Sequence, residues 1–122
     1  MKSYKLSFGS IAMLDNNTVE LIIDEGVEVN EVMVDEYHDF IRTYMDNPCF
    51  VLVNKEHSYS FKFEAQRMIH NIKQIKAIAV CVKTSGALMM VETIINLNKG
   101  NDWNIKVFQD RTEAMDWLAS QH

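Results

Sequence analysis

The sequence predicts one α/β domain over residues 1–122, with a single mixed sheet that opens in an antiparallel hairpin, continues in parallel strands and is packed by about four helices. Three observations predict it. Two short β-favouring apolar runs, Ile11 to Leu14 and Val19 to Ile23, flank Asp15-Asn16-Asn17, residues that tolerate the left-handed conformations of a hairpin turn. The continuous apolar runs Cys49 to Val53 and Ile75 to Val82 have the pattern of strands buried on both faces. Stretches of helical periodicity separate and follow these runs, giving the order β-β-α-β-α-β-α-β-α, in which later strands are joined by right-handed helical crossovers.

Each element has its own local signal. Gly26 punctuates the exit from the hairpin, and Asn30 is placed to cap a helix with Glu31 in its first turn. Met33, Tyr37, Phe40, Ile41 and Tyr44 form the apolar face of that helix, with Asp35, Glu36, Asp39 and Arg42 opposite, and Asn47-Pro48 ends it. After Cys49 to Val53, Tyr59, Phe61 and Phe63 alternate as in a strand, while Ala65, Met68, Ile69 and Ile72 follow at helical spacing. This pattern predicts an extended connector and then a helix over about 62–72, with Ser60 as a cap or turn hydroxyl. Ser85-Gly86 opens a helix to about Asn98, stopped by Lys99-Gly100-Asn101-Asp102. Ile105 to Phe108 is a strand, and Asp110 with Glu113 has capping-box spacing ahead of a helix bearing Ala114, Trp117 and Leu118.

Composition narrows the classes of function. With 48% apolar and 24% charged residues, the chain has the balance of a folded domain rather than a disordered one. A net charge of −5 disfavours nucleic-acid binding driven by bulk charge. No apolar run reaches the roughly 20 residues that a membrane-spanning helix needs, and the start shows no signal-peptide pattern, so a cytoplasmic location without an integral membrane segment is expected. Cys49 and Cys81 lie in apolar runs without metal-ligand spacing, which predicts buried free thiols and no metal or cofactor. His38, His57, His70 and His122 have no partner at ligand spacing, and His122, at the chain end, is expected to be mobile.

The segment Ala77-Ile78-Ala79-Val80-Cys81-Val82-Lys83, the helix ending Asn96-Leu97-Asn98-Lys99, and Val107-Phe108 before Glu113-Ala114-Met115-Asp116-Trp117-Leu118 resemble the C-terminal half of small bacterial SpoIIAA-like proteins. Those proteins are similar to the STAS domains of anti-sigma-factor antagonists and to the lipid-binding Sec14 fold. The resemblance implies that fold and work by protein interaction or by ligand carriage. It departs at the turn after the third predicted strand, where STAS antagonists carry an Asp-Ser-Ser-Gly type motif that is phosphorylated. Here Asn54-Lys55-Glu56-His57-Ser58-Tyr59-Ser60 stands there, without that motif, which argues against a kinase-switched antagonist.

Three places are candidates for function. The loops at the carboxyl ends of the parallel strands hold Lys55, then Lys83, Thr84 and Ser85, then Asp110, where ligands bind in open α/β sheets. Lys83-Thr84-Ser85-Gly86 suits either helix capping or a small anion. The histidines show no nucleophile–base constellation, so no enzyme activity is expected. The helix from Ala87 to Leu97 is apolar over about half its circumference, with Met89 nearly opposite the stripe's centre. The excess is extra core, or a surface at Met89, Met90, Ile94 and Leu97 for a second copy of the chain, another protein or an apolar small ligand. The eight methionines fit either. The leading expectation is a non-enzymatic homodimeric interaction module; the alternatives are a carrier or sensor of an apolar ligand, and an enzyme assembled from the loops at Lys55, Lys83 and Asp110.

Overall fold

A computed structural model describes residues 2–98, 100 and 103–122. Its elements are β1 (Lys2–Leu6), β2 (Gly9–Met13), β3 (Thr18–Ile23), β4 (Glu28–Val29), α1 (Glu31–Tyr44), β5 (Cys49–Asn54), β6 (Ser60–Phe61), α2 (Phe63–Met68), β7 (Ile75–Cys81), α3 (Ser85–Leu97), β8 (Ile105–Phe108) and α4 (Arg111–Ser120). The main sheet has the order β1-β2-β3-β5-β7-β8. Its first three strands are antiparallel, and β3, β5, β7 and β8 run parallel, in agreement with the α/β mixed sheet read from the sequence.

The parallel strands advance across the sheet in one direction. With right-handed connections, such an order puts every crossover helix on the same face. Accordingly Val51, Val53, Ile78 and Val80 pack on that face in one core with Val34, Tyr37 and Ile41 of α1, Ala65 of α2, and Ala87, Leu88 and Val91 of α3. The opposite face of β5 and β7, formed by Phe50, Leu52, Ala77 and Ala79, is covered by Ala114 and Leu118 of α4. Both faces of β5 are therefore dry, which explains its unbroken apolar run.

Local chemistry sets the helix starts. Asn30, Thr84 and Asp110 each cap a helix, accepting hydrogen bonds from the backbone N–H of Met33 (2.9 Å), Ala87 (3.1 Å) and Glu113 (3.2 Å). The Asn47–Pro48 peptide is cis.

The structure adds and corrects several elements. β1 is an additional strand at the sheet edge; it carries Lys2 and Lys5, which an edge strand tolerates, and so has no apolar run to mark it. Its Tyr4 ring meets Phe40 and Tyr44 of α1 at 5.1 and 5.4 Å. The expected connector before α2 includes β6, which pairs with β4 in a separate parallel bridge, Glu28 beside Ser60 and Val29 beside Phe61. Gly26 turns the chain at φ +78°, a conformation that favours glycine, and donates its N–H to Ser58 O at 2.8 Å. Ser60 is consequently a strand residue rather than a cap, with Lys62 at the N-cap position of α2 and no side-chain cap there. α2 is shorter than the predicted 62–72 helix, since Asn71 Nδ2 donates to Arg67 O at 2.7 Å and the chain turns at Ile69-His70, closed by Asn71 N to Met68 O at 2.9 Å. The expected stop of α3 falls largely on residues 99, 101 and 102, which lie outside the described residues; the helix ends at Leu97.

Candidate functional site

α3 is the helix that fits its surroundings least closely. None of its residues is fully buried, although it lies on the sheet face that α1 and α2 also cover. Between α3 and the sheet is a cavity of about 270 Å³. Val53, Val80 and Ile105 form its floor, Met90, Val91, Ile94 and Ile95 its roof, and Tyr59, Phe61 and Gln66 a side wall. The β4–β6 bridge makes that wall possible, because the hydrogen bonds Ser60 N to Val27 O (3.0 Å) and Lys62 N to Val29 O (2.9 Å) hold the segment beside the start of α1.

The two ends of the cavity are polar. At the carboxyl end of the strands is Lys55, whose backbone N–H donates to Cys81 O at 2.9 Å and whose Nζ sits 3.7 Å from the centre of the Tyr59 ring. Burial lowers the Lys55 pKa from its ordinary value, with Glu25 opposing the shift. At the amino end are Trp103 and His70, their rings edge-on at 4.9 Å, with Trp103 Nε1 donating to Asn71 Oδ1 at 3.0 Å. His70 is half-buried as a residue, but its Nδ1 is sealed from solvent and has no partner among the described residues. Burial, reinforced by the nearby His38, depresses the His70 pKa to about 3, so the ring is neutral at physiological pH. His38 is buried, its Nε2 3.0 Å from Ile69 O, and its pKa is lowered chiefly by burial. A more open hollow of about 380 Å³ lies beyond His70 and Trp103, with Lys73, Lys76 and Asn104 on its rim. Its greater openness and more polar lining suit water better than an apolar ligand.

The structure separates the residues singled out from the sequence. Lys55, Met90 and Ile94 line the cavity, and Lys83, Thr84, Ser85 and Asp110 do not. Thr84 and Asp110 cap helices, while Lys83 and Ser85 are exposed. Met89 and Leu97 point outward from α3. The histidines do not converge on a metal site: among the described residues no group of three or more His, Cys, Asp or Glu is placed to hold an ion. Both cysteines are free, Cys49 buried and Cys81 only half-buried, the latter less enclosed than expected. His122, expected loose at the chain end, stacks on Phe50 at 3.9 Å. Tyr59, Phe61, Gln66, His70 and Trp103 received no site role from the sequence. Alternation of Tyr59 and Phe61 was the one visible signal, and it spoke of a strand rather than of a cavity wall.

Comparison with known proteins agrees with the fold. The sequence model described as Domain of unknown function (DUF7793) matches residues 13–122. No curated protein matches the chain. The crystal structure, at 2.25 Å resolution, of an uncharacterised DUF3478-family protein with a SpoIIAA-like fold from Shewanella loihica PV-4 superposes with a TM-score of 0.58 at 15% identity, covering 88% of this chain and 90% of that one. At that identity the likeness concerns the fold alone, and it supports the SpoIIAA-like architecture. No described helix is long and apolar enough to cross a membrane.

Proposed function

The chain belongs to the DUF7793 family, a domain of unknown function, and from that premise we propose that it works by binding, not catalysis, holding a small, mainly apolar ligand between α3 and the sheet. The observation that carries this reading is the cavity of about 270 Å³ under a helix whose inward side chains Val91, Ile94 and Ile95 are only half-buried. Apolar surface left partly open forgoes about 25 cal/mol for each Å² not removed from water, and a ligand that completes the burial recovers it. The lining, mainly apolar with Gln66 in one wall and other polar groups at the ends, is the usual make-up of a small-molecule site.

Native mass spectrometry of protein purified from cells tests the proposal directly, with a ligand-sized adduct expected. A fluorescent apolar probe such as aminoanthracene provides the second arm: Ile94→Trp, which fills the cavity, is expected to abolish uptake and retain helical circular dichroism. Equal uptake by the two proteins, or none by the parent, overturns the reading.

A second reading, self-association, draws on a different observation. Met89, Met90 and Leu97 are 68%, 65% and 77% exposed, and Phe63 of α2, 64% exposed, lies across a shallow groove from Leu97. Isolated apolar residues are ordinary on a surface, but Phe63 and Leu97 lining one groove fit a contact with a second copy of the chain. Sedimentation should then show a dimer that Met89→Asp or Leu97→Asp dissociates; a monomer at high concentration removes this reading.

A further inference from the structure

The cavity is not uniformly apolar, and its charge is confined to one end. Among the described residues that line it, Lys55 is the one charged side chain. Lys55 is half-buried as a residue and its ammonium group rests on the Tyr59 ring, with no hydrogen bond or ion pair to it among the described residues. The nearest acidic influence, Glu25, is engaged elsewhere, accepting from Ser58 N at 3.2 Å and facing His57 Nδ1 at 4.0 Å. A cation partly stripped of water without a carboxylate partner is electrostatically incomplete.

The strand register sets the length of the space. Val53 pairs with Val80, and Ile105 pairs with Ile78, two residues nearer the amino end. Lys55 lies two residues beyond Val53, so the distance from the Ile105 level to the Lys55 level is four strand steps, about 13 Å. The side chains between, Val53, Val80, Val91 and Ile94, are all apolar.

We propose that the ligand of this cavity is a small amphiphile with a single carboxylate, its anionic head at Lys55 and its apolar body lying under α3 towards Trp103. This rests on the reading of the cavity as a ligand site. His70 fits the same assignment: a neutral ring at the far end adds no second charge for a ligand to match. Lys55 serves as the head-group anchor, while Tyr59 holds the ammonium over the mouth of the cavity.

The test compares decanoate, decanol and decylammonium by calorimetry and by displacement of aminoanthracene, on the parent protein and on Lys55→Met, Lys55→Arg and Ile94→Trp. Decanoate is expected to bind the parent about tenfold tighter than decanol, from one charge-assisted contact, and decylammonium most weakly. Lys55→Met, which keeps the apolar stem, should weaken decanoate about tenfold relative to decanol, and Lys55→Arg should restore most of the difference. Decanol or decylammonium binding the parent as tightly as decanoate overturns the head-group assignment, as does a Lys55→Met variant weakened equally towards all three. The cavity reading is judged separately: it stands if Ile94→Trp abolishes binding of decanol and decanoate alike. It falls, and the head-group assignment with it, if none of the three binds or if Ile94→Trp changes nothing.

Discussion

Arg111, the first residue of α4, donates through its Nη2 to Glu20 Oε1 of β3 at 2.7 Å, joining positions 91 residues apart. Asn54 at the end of β5 donates to the other oxygen of the same carboxylate at 2.9 Å. Glu20 is thus gripped by the neighbouring strand and by the helix that covers the sheet face opposite α3. Burial alone would raise the Glu20 pKa, but the hydrogen bonds from Arg111 and Asn54 and the charge of Arg111 outweigh it, and the pKa is lowered.

Arg111→Met is therefore expected to destabilise the fold by about 1–2 kcal/mol, because it leaves a mostly buried carboxylate with Asn54 alone. The side chains are 51% exposed for Arg111 and 12% for Glu20, so solvent screens part of the pair and keeps the loss below that of a fully buried one. Since the folded carboxyl has the lowered pKa, its contribution is present above the unfolded pKa and is lost as pH falls through the folded one. Urea unfolding at pH 7 and pH 3 checks both points, with the difference between parent and variant expected to shrink in acid.

Two glycines should respond in opposite ways to alanine. A Cβ on Gly9 would run into the carbonyl oxygen of Ile22 on β3, a backbone atom held in the sheet, whereas one on Gly86 meets nothing within 4 Å. Gly9→Ala is expected to cost about 2 kcal/mol or more through overpacking. Gly86→Ala, in the first turn of α3, should stabilise by about 0.5 kcal/mol through helix propensity and the loss of unfolded-state freedom. Thermal unfolding of the two variants gives the signs directly.

His70 predicts acid sensitivity in the range where histidines titrate. Its folded pKa of about 3 lies below the ordinary 6.5, so the unfolded chain takes up the proton first. The stability it contributes is complete above pH 6.5 and declines as pH falls towards 3, at up to about 1.4 kcal/mol per pH unit. His38, lowered in the same direction, adds to the slope. His70→Gln should flatten the dependence of the urea midpoint between pH 6.5 and pH 4; an unchanged slope would show that His70 is not a source of it.

The cysteines should differ in reactivity. Burial pushes the Cys49 thiol up to about 12, against a weak contact to Phe50 O, and raises Cys81 less, with Asp110 and Glu20 contributing there. As thiolate is the reacting form, an aromatic disulfide reagent at pH 8 is expected to label Cys81 slowly and Cys49 only at the rate of unfolding. Mass spectrometry of digested, partly labelled protein separates the two sites.

Particular residues show where the sequence was readable. The run Cys49 to Val53 announced a strand buried on both faces because each residue in it meets the same kind of environment. Tyr59 and Phe61 alternated correctly, but β6 pairs with β4 thirty-two residues earlier, and nothing local marks such a pairing. Lys2 and Lys5 concealed β1, whose side chains are exposed except for the half-buried Tyr4 and buried Leu6, so too few of them meet the core to imprint an apolar alternation. The α3 stripe was visible at its full width, yet its pattern was equally that of extra core, of a contact face and of a cavity roof.

By itself, the sequence determined the main strands from β2 onward, the helices between them and the capping roles of Asn30 and Asp110, because these follow from periodicity and from hydrogen bonds spanning three residues; that Thr84 rather than Ser85 caps α3 came from the structure. Only the tertiary structure decided that three helices share one face, that α3 stands off the sheet, and that Lys55 and Trp103 close opposite ends of the same space. A cavity is a mismatch among surfaces brought together from distant parts of the chain, and no single segment records how closely the others approach it.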